Sequence, residues 1–113
     1  MIANLQHLDM YAGEDREVTL SGRDEFNLPT DLTGRTVDWH VGRSPFRPDD
    51  DGALLSKTAT VIDAPMGVFS VQVMAGDTTD MEGDYEHMAT ASDSTTRGVI
   101  CRGRLRVRPT VRP

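Results

Sequence analysis

The 113-residue chain carries 12 basic and 18 acidic residues, for a formal net charge of −6, and 37% of its residues are hydrophobic. This length suits one domain with one core, and no apolar run approaches the roughly 20 residues that a membrane helix needs. No basic, apolar leader opens the chain, so we expect synthesis in a reducing cytoplasm. The single cysteine, Cys101, excludes an intrachain disulfide.

Charge is divided unevenly along the chain. Residues 1–96 carry all 18 acids and a net charge of −12, whereas residues 97–113 carry six arginines, no acid and a net charge of +6. Phosphate-driven affinity requires a positive surface, so the acidic portion argues against nucleic-acid binding. We expect no nucleic-acid partner and no membrane partner. The basic end could contact phosphate, or equally the acidic flank of a neighbouring copy.

Taken in chain order, residues 1–10 predict an N-terminal arm or an edge strand. Apolar residues beyond it recur at every second position, the pattern of strands with one buried face. Five runs show this alternation: Val18 and Leu20; Val37, Trp39 and Val41; Phe69, Val71 and Val73; Tyr85, His87, Ala89 and Ala91; and Cys101, Leu105 and Val107. The stretch 54–62 predicts one more strand, with Leu55, Ala59 and Val61 as alternative inward residues. Residues 43–52 predict an exposed loop, and residues 109–113 a C-terminal tail.

These elements predict an all-β fold, an immunoglobulin-like antiparallel β-sandwich of about seven strands over residues 11–108, because glycine and proline turns separate the strands every 8–12 residues. Trp39 is expected to be the largest core side chain. Gly83, two residues before Tyr85, predicts a tyrosine corner, in which the phenol hydroxyl bonds to backbone just upstream.

A series of short motifs supports a more specific comparison. In order they are Asp31-Leu32-Thr33-Gly34, Gly67-Val68-Phe69-Ser70-Val71, Ala75-Gly76-Asp77-Thr78, Gly83-Asp84-Tyr85 and Gly103-Arg104-Leu105-Arg106-Val107. This layout resembles the immunoglobulin-like domain of tailed-bacteriophage virion proteins, notably baseplate upper proteins and small tail or head accessory proteins. The resemblance implies a non-enzymatic building block that assembles with copies of itself and other virion proteins. It also implies that Gly83 and Tyr85 form the corner, and it supplies no catalytic residues.

Four arginines at alternate positions, Arg102, Arg104, Arg106 and Arg108, are the candidate functional residues. On one face of a strand they would repel one another by roughly 0.2–1 kcal/mol per close pair, so acidic groups are expected nearby. One interpretation is a charged edge strand protected against aggregation. The other, which the charge asymmetry favours, is an interface with acids of another subunit, where the guanidinium fork pairs with carboxylates.

Two clusters of acidic residues are candidate metal sites. Asp49, Asp50 and Asp51 lack the alternate spacing and the distal glutamate of a calcium loop, which favours a solvated turn. Asp77, Asp80, Glu82 and Asp84 precede or open the Tyr85 strand, where weak calcium binding and pairing with an arginine are the alternatives. The favoured interpretation is that Asp77, followed by Thr78, caps a short helical turn. We therefore predict no metal site and no cofactor.

The histidines and the cysteine do not predict catalysis. Strand parity places His40 opposite the face of Trp39, towards solvent, and His87 on the face of Tyr85, partly buried and hydrogen-bonded. Together with His7, they are not expected to converge on one ion or substrate. Cys101 shares the parity of Leu105, which indicates a small core residue and not a nucleophile. No nucleophile motif or phosphate-binding glycine loop occurs.

The sequence thus predicts a structural component of a phage or phage-like particle, located in the virion at its tail, baseplate or head, and self-associating as a homo-oligomer. The alternative is a carbohydrate- or surface-binding module, which would stack exposed rings on sugars. Trp39, Phe69 and Tyr85 have inward parity, so that alternative would depend on Tyr11, Phe26 and Phe46. A cytoplasmic enzyme is the third alternative, and it would need convergent titratable groups.

Overall fold

A computed structural model describes residues 6–23, 26, 28–43, 53–79, 81–95 and 97–108. The strands are Leu8–Tyr11 (β1), Arg16–Ser21 (β2), Thr36–Gly42 (β3), Ala53–Thr58 (β4), Thr60–Asp63 (β5), Val68–Val73 (β6), Gly83–Ser92 (β7) and Arg97–Arg108 (β8). One short helix, Ala75–Thr78 (α1), connects β6 to β7. Within the described ranges, no helix has the length and apolar character needed to cross a membrane.

Several sequence predictions fall on other residues. The start of the N-terminal arm (1–5), most of the predicted loop (44–52) with Phe46 and Asp49 to Asp51, and the tail (109–113) lie outside the described residues. Asp80 of the second acidic cluster also lies outside them.

The strands form two sheets that pack face to face. The larger sheet has the order β1-β8-β7-β3-β4 and the smaller one the order β2-β6-β5. All pairings are antiparallel except that of β1 with β8, which is parallel. This arrangement is an immunoglobulin-like β-sandwich whose larger sheet carries one extra edge strand, β4. The predicted fold class is confirmed, with β1 as the edge strand at the N-terminal side.

The fold has eight strands in place of about seven, because the single strand predicted at 54–62 is two. β4 pairs with β3 in the larger sheet, and β5 pairs with β6 in the smaller sheet. The chain changes sheets at Ala59, whose N–H donates to the carbonyl oxygen of Val37 at 2.8 Å. Sequence alternation alone did not reveal the crossing, because the residues on both sides of it are β-branched.

The core lies between the two sheets and follows the predicted parity. Trp39 is its largest side chain and is fully buried. The inward residues of β2, β3, β6, β7 and β8 surround it, including Val18, Leu20, Val37, Val41, Phe69, Val71, Val73, Ala89, Ala91, Cys101, Leu105 and Val107. Met10 of β1 and Leu32 of the β2–β3 connection close the core.

Parity fails at one place in β8. The register of β7 with β8 shifts between Ala89 and Thr90: Ala89 pairs with Cys101 and Thr90 with Val99, so a β-bulge lies at Ile100. Ile100 and Cys101 are both buried as a result. Ile100 packs against Gly22, where an added Cβ would lie 2.9 Å from the Cδ1 atom of Ile100. The bulge thus closes one end of the sandwich, which the alternation pattern did not predict.

Candidate functional site

The candidate site is the outward face of β7, β8 and β1, which we call the arginine face. Cys101, Leu105 and Val107 of β8 point into the core, so the residues between them must point outward. Arg104, Arg106 and Arg108 are exposed and Arg102 is half-buried. The structure therefore places all four predicted arginines on one side of a strand whose other side is anchored in the core.

Three of these arginines have carboxylate partners on adjacent strands of the same chain. Arg102 donates to Glu86 at 2.6 Å, Arg106 donates to Asp84 at 2.9 Å, and Arg108 donates to both oxygens of Asp9 at 2.8 and 2.9 Å. The two exposed pairs have the expected electrostatic effect. The Arg106 guanidinium lowers the pKa of Asp84, and that of Arg108 lowers the pKa of Asp9. For these three arginines, the counter-charge that sequence reasoning sought on another subunit is supplied by β7 and β1.

Arg104 differs from the other three. Its backbone N–H donates to Nδ1 of His7 at 3.0 Å, but its guanidinium has no ion-pair partner among the described residues. Glu86 lies directly across from Arg104 in the register of β7 with β8. The Glu86 carboxylate bonds to Arg102 instead. Arg104 is thus the one arginine of the four that forms no ion pair with a described residue, although its charge contributes, after that of Arg106, to lowering the pKa of Asp84.

Two open clefts lie on the two sides of Arg104. The first, of about 280 Å³, is lined by His7, Asp84, Tyr85, Glu86, Arg102, Gly103 and Arg104. The second, of about 270 Å³, is lined by His7, Leu8, Asp9, Arg104 and Arg106. His7 and Arg104 are the residues common to both linings, so they form the ridge between the clefts.

Behind the arginine face, a buried polar chain fixes β1 to the sandwich. The indole N–H of Trp39 donates to Nδ1 of His87 at 3.2 Å. Nδ1 is therefore an acceptor, the neutral ring carries its proton on Nε2, and that N–H donates to the backbone carbonyl oxygen of Gln6. Burial lowers the pKa of His87 because it disfavours the charged imidazolium. Sequence parity expected a partly buried, hydrogen-bonded His87; it is completely buried.

Gln6 connects the two sheets. Its backbone N–H donates to the carbonyl oxygen of Arg102 at 2.8 Å, which joins it to β8. Its side-chain amide reaches β2, where Nε2 donates to the carbonyl oxygen of Ser21 at 2.7 Å. Oε1 also accepts from the Ser21 N–H at 3.4 Å. One glutamine thus holds the β1 edge of the larger sheet and the β2 edge of the smaller sheet.

This close approach requires a glycine at position 103. A Cβ added to Gly103 would lie 2.6 Å from the carbonyl carbon of Gln6, nearer still to its oxygen, and 3.0 Å from Nε2 of His87. Gly103 pairs with His87 in the register of β7 with β8. The missing side chain therefore leaves the space in which the imidazole meets the Gln6 carbonyl.

The hydroxyl of Tyr85 makes the two hydrogen bonds of a tyrosine corner. It accepts from the backbone N–H of Glu82 at 2.9 Å and donates to the Glu82 carbonyl oxygen at 3.1 Å. Gly83, between these residues, has a φ of +103°, which favours glycine. The Arg43 guanidinium lies 4.9 Å from the centre of the Tyr85 ring and covers it.

The tyrosine corner allows the position of His87 to be compared with that of a conserved cysteine in antibody domains. In antibody domains the residue two positions after the corner tyrosine is the second cysteine of the inter-sheet disulfide, against which a tryptophan of the third strand packs. Here that position is His87, and the tryptophan, Trp39 of β3, donates a hydrogen bond to it. His87 thus stands at the sequence position of that cysteine and contacts the tryptophan by a hydrogen bond.

The remaining candidate residues are not brought together. His40 is half-buried and contacts Ser56 through Nδ1 at 2.9 Å. Cys101 is buried, and desolvation raises its pKa to about 12. Across the described ranges, no three His, Cys, Asp or Glu side chains are placed to hold a metal ion.

Two acids of the second cluster, Asp77 and Asp84, have partners of their own. Asp77 forms an ion pair with Lys57 at 2.8 Å and accepts from the Met74 N–H at 2.8 Å, at the start of α1. The Lys57 ammonium group lowers the pKa of Asp77. Asp84 pairs with Arg106. These contacts are structural and do not form a ligand set.

Sequence reasoning missed Gln6, His7 and Gly103. Gln6 and His7 precede the first alternating run, so no pattern marked them. Gly103 did carry a signal, because it takes an inward position between Cys101 and Leu105 where a core side chain is expected. A glycine at such a position indicates a close approach by another group.

Comparisons with known proteins are consistent with the fold and go no further. No family model matches the chain, and no curated protein matches it. Among solved structures, the insect immune protein hemolin, whose domain arrangement has been discussed for homophilic adhesion, aligns with 100% of this chain at 16% identity and a TM-score of 0.45. The chain spans 27% of the hemolin chain. An uncharacterized protein from Bacillus anthracis aligns with 95% of this chain and 86% of its own, at 11% identity and a TM-score of 0.41.

Proposed function

We propose that the protein is a non-enzymatic structural component of a bacteriophage or phage-like particle. It is made in the host cytoplasm and acts at the tail, baseplate or head surface through contacts with copies of itself and with other virion proteins. The observation that carries the assembly function is the arginine face, where charged groups are held at fixed spacing on a rigid sheet. The virion assignment rests on the resemblance of the ordered turn motifs to phage immunoglobulin-like domains.

The arginine face suits an interface because its geometry is set before any partner arrives. Ion pairs to Glu86, Asp84 and Asp9 hold three guanidinium groups in place. A preorganised surface loses less conformational entropy on association than free arginine side chains would. Such alternating charges contribute mainly to orientation and to the rate of encounter.

The positions of His87, His40 and Cys101 support a non-catalytic function. His7 shares the first cleft with Asp84 and Glu86, but both of those carboxylates are paired with arginines. Both ring nitrogens of His87 are hydrogen-bonded, one to Trp39 and one to Gln6. His40 contacts Ser56 on the opposite face of the sheet. Cys101 is buried, with a raised pKa. In the described parts of the chain, these groups share no cleft in which a substrate could meet two of them.

The carbohydrate-binding alternative has less support. Tyr11 and Phe26 are exposed, at 50% and 74% of their surface. Tyr11 ends β1 of the larger sheet, whereas Phe26 lies in the connection that follows β2 of the smaller sheet, so the two rings come from different parts of the fold.

The test is self-association of a variant in which Arg102, Arg104 and Arg106 are replaced by serine. These side chains point outward, so the circular dichroism spectrum of the monomer should be unchanged while assembly weakens. A matched variant with Arg16, Arg35 and Lys57 replaced by serine removes the same charge outside the arginine face. Mass photometry across a salt series measures both, since salt screens contacts between exposed charges.

The proposal predicts that the wild-type protein and the matched variant form the same salt-sensitive oligomer and that the arginine-face variant does not. Equal oligomer mass for all three proteins would contradict it. Saturable binding on a glycan array, with a wild-type protein that stays monomeric, would favour the carbohydrate-binding module instead.

A further inference from the structure

Arg104 and His7 together present hydrogen-bond donors for which the described part of the chain supplies no acceptor. The Arg104 guanidinium has no ion-pair partner among the described residues. Nδ1 of His7 accepts the Arg104 N–H, so the neutral ring carries its proton on Nε2. No described residue accepts a hydrogen bond from that Nε2. The Arg104 guanidinium and the His7 imidazole N–H thus both lack an acceptor among the described residues, and the two residues line the same two clefts.

The shape of the surface leaves room for an acceptor at this point. The clefts of about 280 and 270 Å³ meet at His7 and Arg104. Gly103 contributes only backbone to the lining of the first cleft, because its missing side chain faces inward, towards Gln6 and His87. Each cleft is large enough for one extended acidic side chain, and both open to solvent.

The charge balance of the arginine face favours a carboxylate as the acceptor. The arginine face holds four arginines against the three carboxylates of Asp9, Asp84 and Glu86, which leaves one positive charge in excess. That excess is located at Arg104. A guanidinium binds a carboxylate through two parallel hydrogen bonds, and a neighbouring N–H adds a third donor.

We propose that the site formed by His7 and Arg104 receives a carboxylate side chain of a second copy of this chain. The second copy is the occupant that the charges favour, because residues 1–96 carry a net charge of −12 and so offer acidic side chains in excess. This inference rests on the proposed assembly function and makes it more specific. The contact between copies is made at Arg104, and the arginines that are paired within the chain contribute to the surrounding positive charge.

Sedimentation velocity at low ionic strength tests this proposal on the full chain. Arg104→Gln should weaken self-association by about tenfold or more, because it removes a donor fork from a preformed site. Arg104→Lys keeps the charge without the fork and should recover only part of the loss. Arg106→Gln removes an arginine that Asp84 already neutralises and should weaken association severalfold less. Arg16→Gln, on β2 of the other sheet, should leave it within about threefold of wild type.

The outcomes separate this inference from the proposed function. If the wild-type protein associates and Arg104→Gln associates equally well, the inference is overturned and the assembly function stands. An Arg106→Gln effect as large as that of Arg104→Gln would also overturn it, because it would mean that only total charge matters. A wild-type protein that remains monomeric at every salt concentration overturns the assembly function, and the second-copy occupant with it.

Discussion

Replacing Gly103 with alanine tests the buried connection between β1 and the rest of the sandwich. The new methyl group would lie 2.6 Å from the carbonyl carbon of Gln6 and 3.0 Å from Nε2 of His87, a separation that unstrained atoms do not adopt. The backbone of β8 is paired on both sides and the His87 ring is buried, so the segment that can yield is Gln6. We expect Gln6 to move away from β8.

The size of the effect follows from the bonds that this movement breaks. Gln6 would lose its N–H bond to Arg102, the bond from His87 to its carbonyl, and the side-chain bond to Ser21. At about 1 kcal/mol each these sum to about 3 kcal/mol, and a buried His87 N–H without an acceptor adds about 1–3 kcal/mol. The better strand propensity of alanine returns about 0.5–1 kcal/mol. The expected loss of unfolding free energy is therefore about 3–5.5 kcal/mol.

Urea unfolding followed by the fluorescence of Trp39 measures this loss, because Trp39 is the single tryptophan and is fully buried. Gly98→Ala is the matched control: Gly98 lies on the same strand, and an added Cβ there would have no atom within 4 Å. The control should be neutral or slightly stabilising. If Gly103→Ala came within about 1 kcal/mol of Gly98→Ala, the reasoning about the Gln6 connection would be refuted.

Three further predictions concern single residues. Because the pKa of His87 is lowered in the folded state, the unfolded chain takes up a proton first as the pH falls below about 6.5, and the unfolding free energy should then drop by up to about 1.4 kcal/mol per pH unit. In urea titrations at several pH values, His87→Gln should show a smaller change of unfolding free energy with pH in that range. Tyr85→Phe removes both bonds to Glu82 and should cost about 1–2 kcal/mol by thermal unfolding, whereas the same change at exposed Tyr11 should cost almost nothing. The Cys101 thiol, with its pKa raised to about 12, should resist iodoacetamide at pH 8 and react once urea unfolds the chain; rapid labelling of the native protein would contradict its burial.

On the arginine face, the alternation of residues along β8 predicted the side on which the arginines lie but not their partners. Alternation on β8 predicted that the four arginines share a side, and it required acidic neighbours to offset their repulsion. It could not assign those neighbours, because the partner of a strand residue depends on register. Glu86 lies across from Arg104 and yet bonds to Arg102, a diagonal choice that only side-chain positions decide.

The contacts of Gln6 could not be predicted from the alternation of residues along strands. Gln6 belongs to no alternating run, and its partners Ser21, His87 and Arg102 are 15 to 96 positions away in the sequence. The sequence offered two partial signals, a glycine at an inward position of β8 and a histidine two residues after the corner tyrosine. Neither signal identifies the group that fills the space at Gly103.

Period-two burial, the turn glycines and the placement of Gly83 before Tyr85 were enough to determine a β-sandwich with Trp39 at its centre, because these features depend on neighbours along the chain. Only the tertiary structure decided the bulge that buries Ile100, the crossing between sheets at Ala59, the Trp39–His87–Gln6 chain and the position of Arg104, whose guanidinium forms no ion pair with any residue that the structure describes. Each of these depends on register between strands distant in sequence, and a shift of one residue in that register would exchange the inward and outward faces without changing the local pattern.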